Sequence, residues 1–366
     1  MNIYICICII IHYESDLGVE VMKAAIIGGT GYGSIELVRL INKHPYLEIG
    51  SVVSNSQAGV NFSDVYPHLS NVVVQPLETF NANKLSEEND IVFLATPSGV
   101  SSKLVPQLLE QGIKCIDLSG DFRLRSAEEY ENWYKHPSPE EKYLKQAVYG
   151  LSEIYKEEIR ESALIANPGC YPTATNLGLL PILESKLADE KFIIIDAKSG
   201  VSGAGRGLSL TSHYSEINEN IKAYKLGKHQ HIPEIEQVLS DESGNPITVT
   251  FTTHLVPMTR GIMCTMYVNL KEKISTKKVI DLYKQFYQES HFIRVRSEGN
   301  IPSTKEVMGS NFCDIGLHVD ERTNRLTIIS VIDNLVKGAA GQAIQNANLI
   351  NGWDEQTGLT DLPIYP

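Results

Sequence analysis

Lys23-Ala24-Ala25-Ile26-Ile27-Gly28-Gly29-Thr30-Gly31-Tyr32-Gly33 is a short apolar run that breaks into a glycine-rich turn. The run predicts a buried strand. Behind the turn, Ser34 to Asn42 carries Ile35, Leu37, Val38, Leu40 and Ile41 at helical spacing. Strand, glycine turn and helix in that order open a βαβ dinucleotide-binding unit. Glycines let the backbone approach a pyrophosphate, and the helix N-terminus turns N–H donors toward it. Gly28, Thr30, Gly31, Tyr32 and Gly33 are therefore expected to hold a dinucleotide.

Further strands are expected at Leu47 to Val53, Asp90 to Ala95 and Lys114 to Leu118. Strands alternating with helices imply a parallel sheet. The second strand ends Val52-Val53-Ser54-Asn55-Ser56, without the carboxylate that an NAD site places on the ribose. Ser54 and Ser56 could accept a 2′-phosphate there, so NADP is the expected cofactor. Beyond residue 170 the strands lengthen: Phe192 to Ala197, Ile247 to Thr253, Met263 to Leu270 and Leu326 to Val331. A mixed α/β domain on a more open sheet is expected. A last helix, Leu335 to Asn351, should pack back on the first domain.

Asn167-Pro168-Gly169-Cys170-Tyr171-Pro172-Thr173 places a cysteine in a tight turn before an expected helix at Thr173 to Leu183. Free cysteines are more often small core hydrophobes. At a helix N-terminus, however, the dipole favours thiolate, and free N–H groups can hold an oxyanion. Gly227-Lys228-His229-Gln230-His231-Ile232-Pro233-Glu234 supplies two imidazoles and a carboxylate. An imidazole can pair with a thiolate and move protons. No third ligand accompanies the histidines, so no metal is expected. Arg123, Arg206 and Arg260 stand in loops after strands and, with Lys228, could gather a phosphate and a carboxylate. A dinucleotide site beside an activated cysteine suits attack on an activated acyl group, giving a thioester whose reduction releases an aldehyde.

Composition narrows the partners. The 366 residues suggest about two domains, and 42% hydrophobic with 21% charged content is ordinary for a globular chain. A net charge of −12 argues against nucleic acid and anionic membranes. A small anionic substrate remains open. Cys6, Cys8, Cys115, Cys170, Cys264 and Cys313 form no CxxC pair and no zinc-like spacing, which suits a reducing, cytoplasmic setting. The apolar run Ile3 to Ile11 is too short to span a bilayer and lacks a basic flank, so residues 1–21 are expected to be an extension outside the fold.

Five segments in order resemble the N-acetyl-gamma-glutamyl-phosphate reductases of the aspartate-semialdehyde dehydrogenase superfamily, from Met22 to about Trp353. They are the cysteine turn, Ser202-Gly203-Ala204-Gly205-Arg206, His229 to Glu234, His254 to Gly261, and Val331 to Ala343. The resemblance implies a Rossmann-like NADP-binding domain at 22–169 with 333–366, and a mixed α/β catalytic and oligomerisation domain at 170–332. Cys170 would be the nucleophile and His229 the acid/base. Arg123, Ser202, Arg206 and Arg260 would meet the substrate, and His231 and Glu234 would support the His229 imidazole or touch substrate. Pro97, Ser199, Gly200 and Asn334 would complete the cofactor site, and subunits would associate as dimers or tetramers. The chain departs from the family pattern at Ser34 (usually glycine), Asn55 (often arginine) and Gln230 (usually arginine). Rival readings are the same chemistry on an aminoadipyl phosphate, aspartate-semialdehyde dehydrogenase, and a non-enzymatic NADP-binding sensor.

Overall fold

The computed structural model describes residues 21–73 and 75–366. Of the expected N-terminal extension, all but Val21 lies outside the described residues.

Six strands build the first sheet: β1 (Met22–Ile27), β2 (Leu47–Val53), β3 (Ile91–Leu94), β4 (Lys114–Asp117), β5 (Val148–Tyr149) and β6 (Leu164–Ala166). Their order is β2-β1-β3-β4-β6-β5, and every neighbouring pair is parallel. Helices cover both faces, so β3 is buried at all four positions and reads Ile-Val-Phe-Leu without alternation. Helix α1 (Tyr32–Ile41) follows the glycine turn and buries Leu37, Val38, Leu40 and Ile41.

The second sheet comprises β7 (Ala188–Ser199), β8 (Lys222–Tyr224), β9 (Thr250–Leu255), β10 (Ile262–Leu270), β11 (Ile293–Val295), β12 (Cys313–Asp320) and β13 (Arg325–Ile332). Its order is β11-β12-β13-β10-β7-β9-β8, with parallel and antiparallel neighbours mixed. Burial alternates residue by residue along β10, the mark of a sheet covered on one face. The cover is helix α2 (Cys170–Glu184), backed by α3 (His231–Ser243) and α4 (Thr276–Phe286).

Helix α2 is buried from Tyr171 to Leu183. Pro181 inside it has no N–H to give the Leu177 carbonyl. The Tyr287 hydroxyl donates to that carbonyl at 2.5 Å, and Tyr283 donates to the next one, Gly178, at 2.7 Å. The helix starts at Cys170, three residues ahead of the expected Thr173. Pro172 does not prevent this, because first-turn amides need no partner.

The chain then returns to the first sheet. Residues Val336–Ala340 form a π-helical turn, followed by α5 (Gly341–Ile350), whose ten residues are all buried against α1 and β4. Where one continuous helix was expected, a wider turn intervenes. Its Gly338 lies against Cys170: a Cβ there would sit 2.8 Å from the cysteine's own. No helix among the described residues is long and apolar enough to cross a membrane.

Candidate active site

The carboxyl ends of β1, β3, β4 and β6 all open into one cavity of about 1270 Å³. Ser199 of β7, Leu255 of β9 and Asn334 just past β13 close it from the second sheet. That edge of a parallel sheet is where ligands bind.

One end is made of backbone. Gly28 has φ +93°, and a Cβ there would lie 2.4 Å from the Ala95 carbonyl oxygen, so only glycine fits. Gly31 caps α1 without a side-chain bond, which leaves the first-turn amides free for an anion. Ser34 is fully buried and its hydroxyl donates to the Gly28 carbonyl at 2.7 Å, closing the loop from inside where the resembled family carries glycine. Thr30, Gly31, Tyr32, Gly33, Ser54, Ser56 and Pro97 line this end. Ser54 Oγ stands 3.5 Å from Ser56 Oγ, and the Asn55 carboxamide braces the loop by accepting from the Phe80 amide at 2.9 Å. No carboxylate is found among the described lining residues. A cradle that any Cβ would fill, with hydroxyls at the ribose position, fits a phosphorylated dinucleotide.

The other end is made of side chains. Cys170 is half-buried as the first residue of α2, behind Gly169. Burial pushes its thiol up to about 11, against the pull of Arg123 and of the Tyr171 and Cys170 amides. The resting group is therefore a thiol, where the helix N-terminus alone suggested thiolate: the loss of solvent outweighs the dipole. His229 and His231 lie with ring centroids 4.7 Å apart, packed edge-on against Tyr171. Burial, then the charge of Lys225, lowers His229 to about 3. Burial likewise holds His231 well below the ordinary imidazole range. Both rings are neutral, so the expected thiolate–imidazolium pair is not the resting state. His229 Nδ1 accepts from the His231 amide at 3.2 Å, which assigns the ring proton to Nε2.

Glu234 sits behind this end, fully buried and outside the cavity lining. It accepts from the Gly169 amide at 2.8 Å and the Tyr149 hydroxyl at 2.7 Å, and meets Arg123 at 3.4 Å. Arg123 donates to the Asn167 and Leu118 carbonyls, both at 2.8 Å. Gly169 is required here, because a Cβ would come within 2.6 Å of His231 Nε2 and 2.9 Å of Arg123 Nη1. Glu234 thus braces the Gly169 turn and Arg123 from outside the cavity lining.

Other expected residues divide. Ser202, Arg206, Ser199 and Asn334 line the cavity, and Asn334 donates to the Ser202 hydroxyl at 2.9 Å. Arg206 lies over the Tyr66 ring at 4.6 Å and donates to the Thr30 carbonyl at 3.4 Å, which puts it at the glycine loop and away from the cysteine. Arg260 does not line the cavity. Its guanidinium is held by Glu36 of α1 and by Asp333 at 3.3 Å, tying the two sheets together. Gly200 is also set back, with its Cβ position 2.7 Å from the Thr259 carbonyl oxygen. Lys228 is exposed off the lining, whereas Gln230 lines it together with Lys225 and Tyr224, which the sequence did not single out. Among the described residues no group of acids, histidines and cysteines could hold a metal, and Cys115, Cys170, Cys264 and Cys313 are free thiols.

A family model described as semialdehyde dehydrogenase, NAD binding domain, matches residues 23–162. A second, semialdehyde dehydrogenase, dimerisation domain, matches 170–334. N-acetyl-gamma-glutamyl-phosphate reductase from Oceanobacillus iheyensis is 55% identical over 94% of this chain and 99% of its own. The protein of the same name from Bacillus subtilis strain 168 is 54% identical over 94% and 100%. Among solved structures, aspartate semialdehyde dehydrogenase II of Vibrio cholerae superposes with a TM-score of 0.69 at 18% identity, covering 91% of this chain and 99% of that one. The Candida albicans aspartate semialdehyde dehydrogenase with NADP gives 0.68 at 15% identity, over 91% and 99%. At such identities these structures establish the fold alone.

Proposed function

The chain belongs to the N-acetyl-gamma-glutamyl-phosphate reductase family of semialdehyde dehydrogenases, and on that premise we propose the roles of its residues in reducing N-acetyl-gamma-glutamyl phosphate to the semialdehyde with release of phosphate, a step of arginine biosynthesis. The aminoadipyl, aspartate-semialdehyde and non-enzymatic readings are not favoured, since the curated relatives carry the glutamyl name along their whole length.

Cys170 is the nucleophile. Its Sγ attacks the acyl carbon, the C–O bond to phosphate breaks, and the departing phosphate carries off the thiol proton as hydrogen phosphate. Arg123 and the first-turn amides of α2 offset the charge that builds on sulfur and on the acyl oxygen. NADPH, held by Gly28 to Gly33, Ser54, Ser56 and Pro97, supplies when bound the hydride that takes the thioester to the aldehyde level. His229 donates from Nε2 to the oxygen as negative charge collects there. The aldehyde departs as the C–S bond breaks and Sγ takes up a proton from solvent. His231, locked between Gly169 and Tyr171, keeps His229 in place. Ser202 and Asn334 position the reacting end of the cofactor.

One observation carries these roles: a single cavity holds the glycine loop, Cys170 and both neutral imidazoles, and every charged side chain lining it is a cation. In a protein of net charge −12, that pattern supports two anionic ligands. The reading further includes a division into 22–169 with 333–366 and 170–332, homodimers or homotetramers through the second domain, and a cytoplasmic setting. Purified protein given the N-acetylated glutamyl and aminoadipyl semialdehydes, each with phosphate and with NADP or NAD, tests it. Turnover should be fastest with the glutamyl compound and NADP. Preference for the longer compound or for NAD would overturn the reading.

A further inference from the structure

We infer that Lys225 binds the carboxylate at the far end of the substrate, away from the acyl phosphate, and thereby gauges its chain length. This rests on the reductase reading above.

Three cations line the cavity among the described residues: Arg123, Arg206 and Lys225. Arg123 is buried, spends three of its five N–H groups on two carbonyls and Glu234, and lies at the cysteine turn, where a Cβ on Gly169 would come within 2.9 Å of its Nη1. Arg206 lies at the glycine loop over Tyr66. Lys225 is exposed to the cavity and spends one N–H on a neutral partner, the Gln230 carboxamide, at 2.7 Å. Two of an ammonium's three donors are left for a ligand. Its backbone is also unusual, with φ +49° in the left-handed region. Side chains held in that region cluster at ligand clamps.

The placement matches a substrate with an anion at each end. The acyl carbon must touch Sγ, which puts the phosphate beside Arg123, the cation whose charge reaches Cys170 most strongly. Lys225 lies one step further along the cavity, its ammonium on Gln230 between His229 and His231, and its charge is the one felt at His229. The carbon chain of the substrate spans that step. With the cysteine at one end and a fixed cation at the other, a longer homologue fits badly.

Lys225→Asn tests this, because asparagine tolerates the left-handed backbone while losing the charge. The variant is assayed with N-acetylglutamate semialdehyde and with the same compound carrying a carboxamide in place of the far carboxylate. The KM for the acid should rise about 10–100-fold, the size of a lost charge-assisted hydrogen bond, with kcat within a few-fold. The KM for the amide should stay at its wild-type value, so the preference for the acid disappears. Lys225→Arg should keep part of that preference. NADP binding by both variants, followed by fluorescence, checks that they fold. An unchanged KM for the acid, or equal losses with acid and amide, overturns the inference. Failure of the wild-type protein to turn over either compound would instead remove the reductase reading beneath it.

Discussion

At the glycine-loop end the cavity wall is main chain, shaped by Gly28 and Gly31 and latched by Ser34, all within seven consecutive residues. At the cysteine end the wall is side chain, and Arg123, Tyr149, Cys170 and the pair His231 and Glu234 come from four separate stretches. The first end binds through dipoles that need no proton. The second end runs on titratable groups whose values burial has moved. A site of this kind separates holding from reacting, and the two halves should fail differently.

Replacing Cys170 by Ser should abolish phosphate-dependent oxidation of the semialdehyde while NADP binding at the main-chain end persists. Turnover near the wild-type rate would break the division. His229→Asn should cut kcat by about 10²–10⁴-fold, the usual scale for a lost acid/base group. It should also change the acid stability. His229 lies near 3 in the folded protein, against an ordinary 6.5. Below the ordinary value the unfolded chain takes up a proton that the folded ring refuses, so stability falls as pH drops from 6.5 toward 3. Melting temperatures across that range should decline less steeply in His229→Asn; an identical slope contradicts the buried neutral ring.

Arg260→Met leaves Asp333 buried without its cation and Glu36 with Arg39 alone, and should destabilise by about 2–4 kcal/mol, with KM little altered. A raised KM at unchanged melting temperature would return Arg260 to the substrate. Smallest is Ser54→Asp. A carboxylate facing the 2′-phosphate should weaken NADP about 10-fold relative to NAD in a KM comparison. No change in that ratio would place the phosphate elsewhere.

The same contrast explains what could be read from the sequence. The glycine end was legible because its parts are neighbours: the β1 strand, the turn and the periodic helix each carry a local signal. Cys170, marked by its turn, and His229, marked by its motif, both line the cavity. The thiol's high value was not, since it depends on burial by residues far along the chain. Arg260 misled because a loop arginine after a strand carries no mark of its partner, and Glu36 lies more than two hundred residues away. β12 escaped notice because Asp314, buried and paired with Arg294 and Arg296, breaks its apolar pattern. β5 and β6 are too short to show periodicity.

The central claim is that the acyl group passes through sulfur. Turnover mixtures quenched in acid with limiting NADPH, then digested and analysed by mass spectrometry, test it directly. The account predicts an N-acetylglutamyl adduct on the peptide containing Cys170, lost on adding excess NADPH. An acyl group on another residue, or none at all during active turnover, would contradict it.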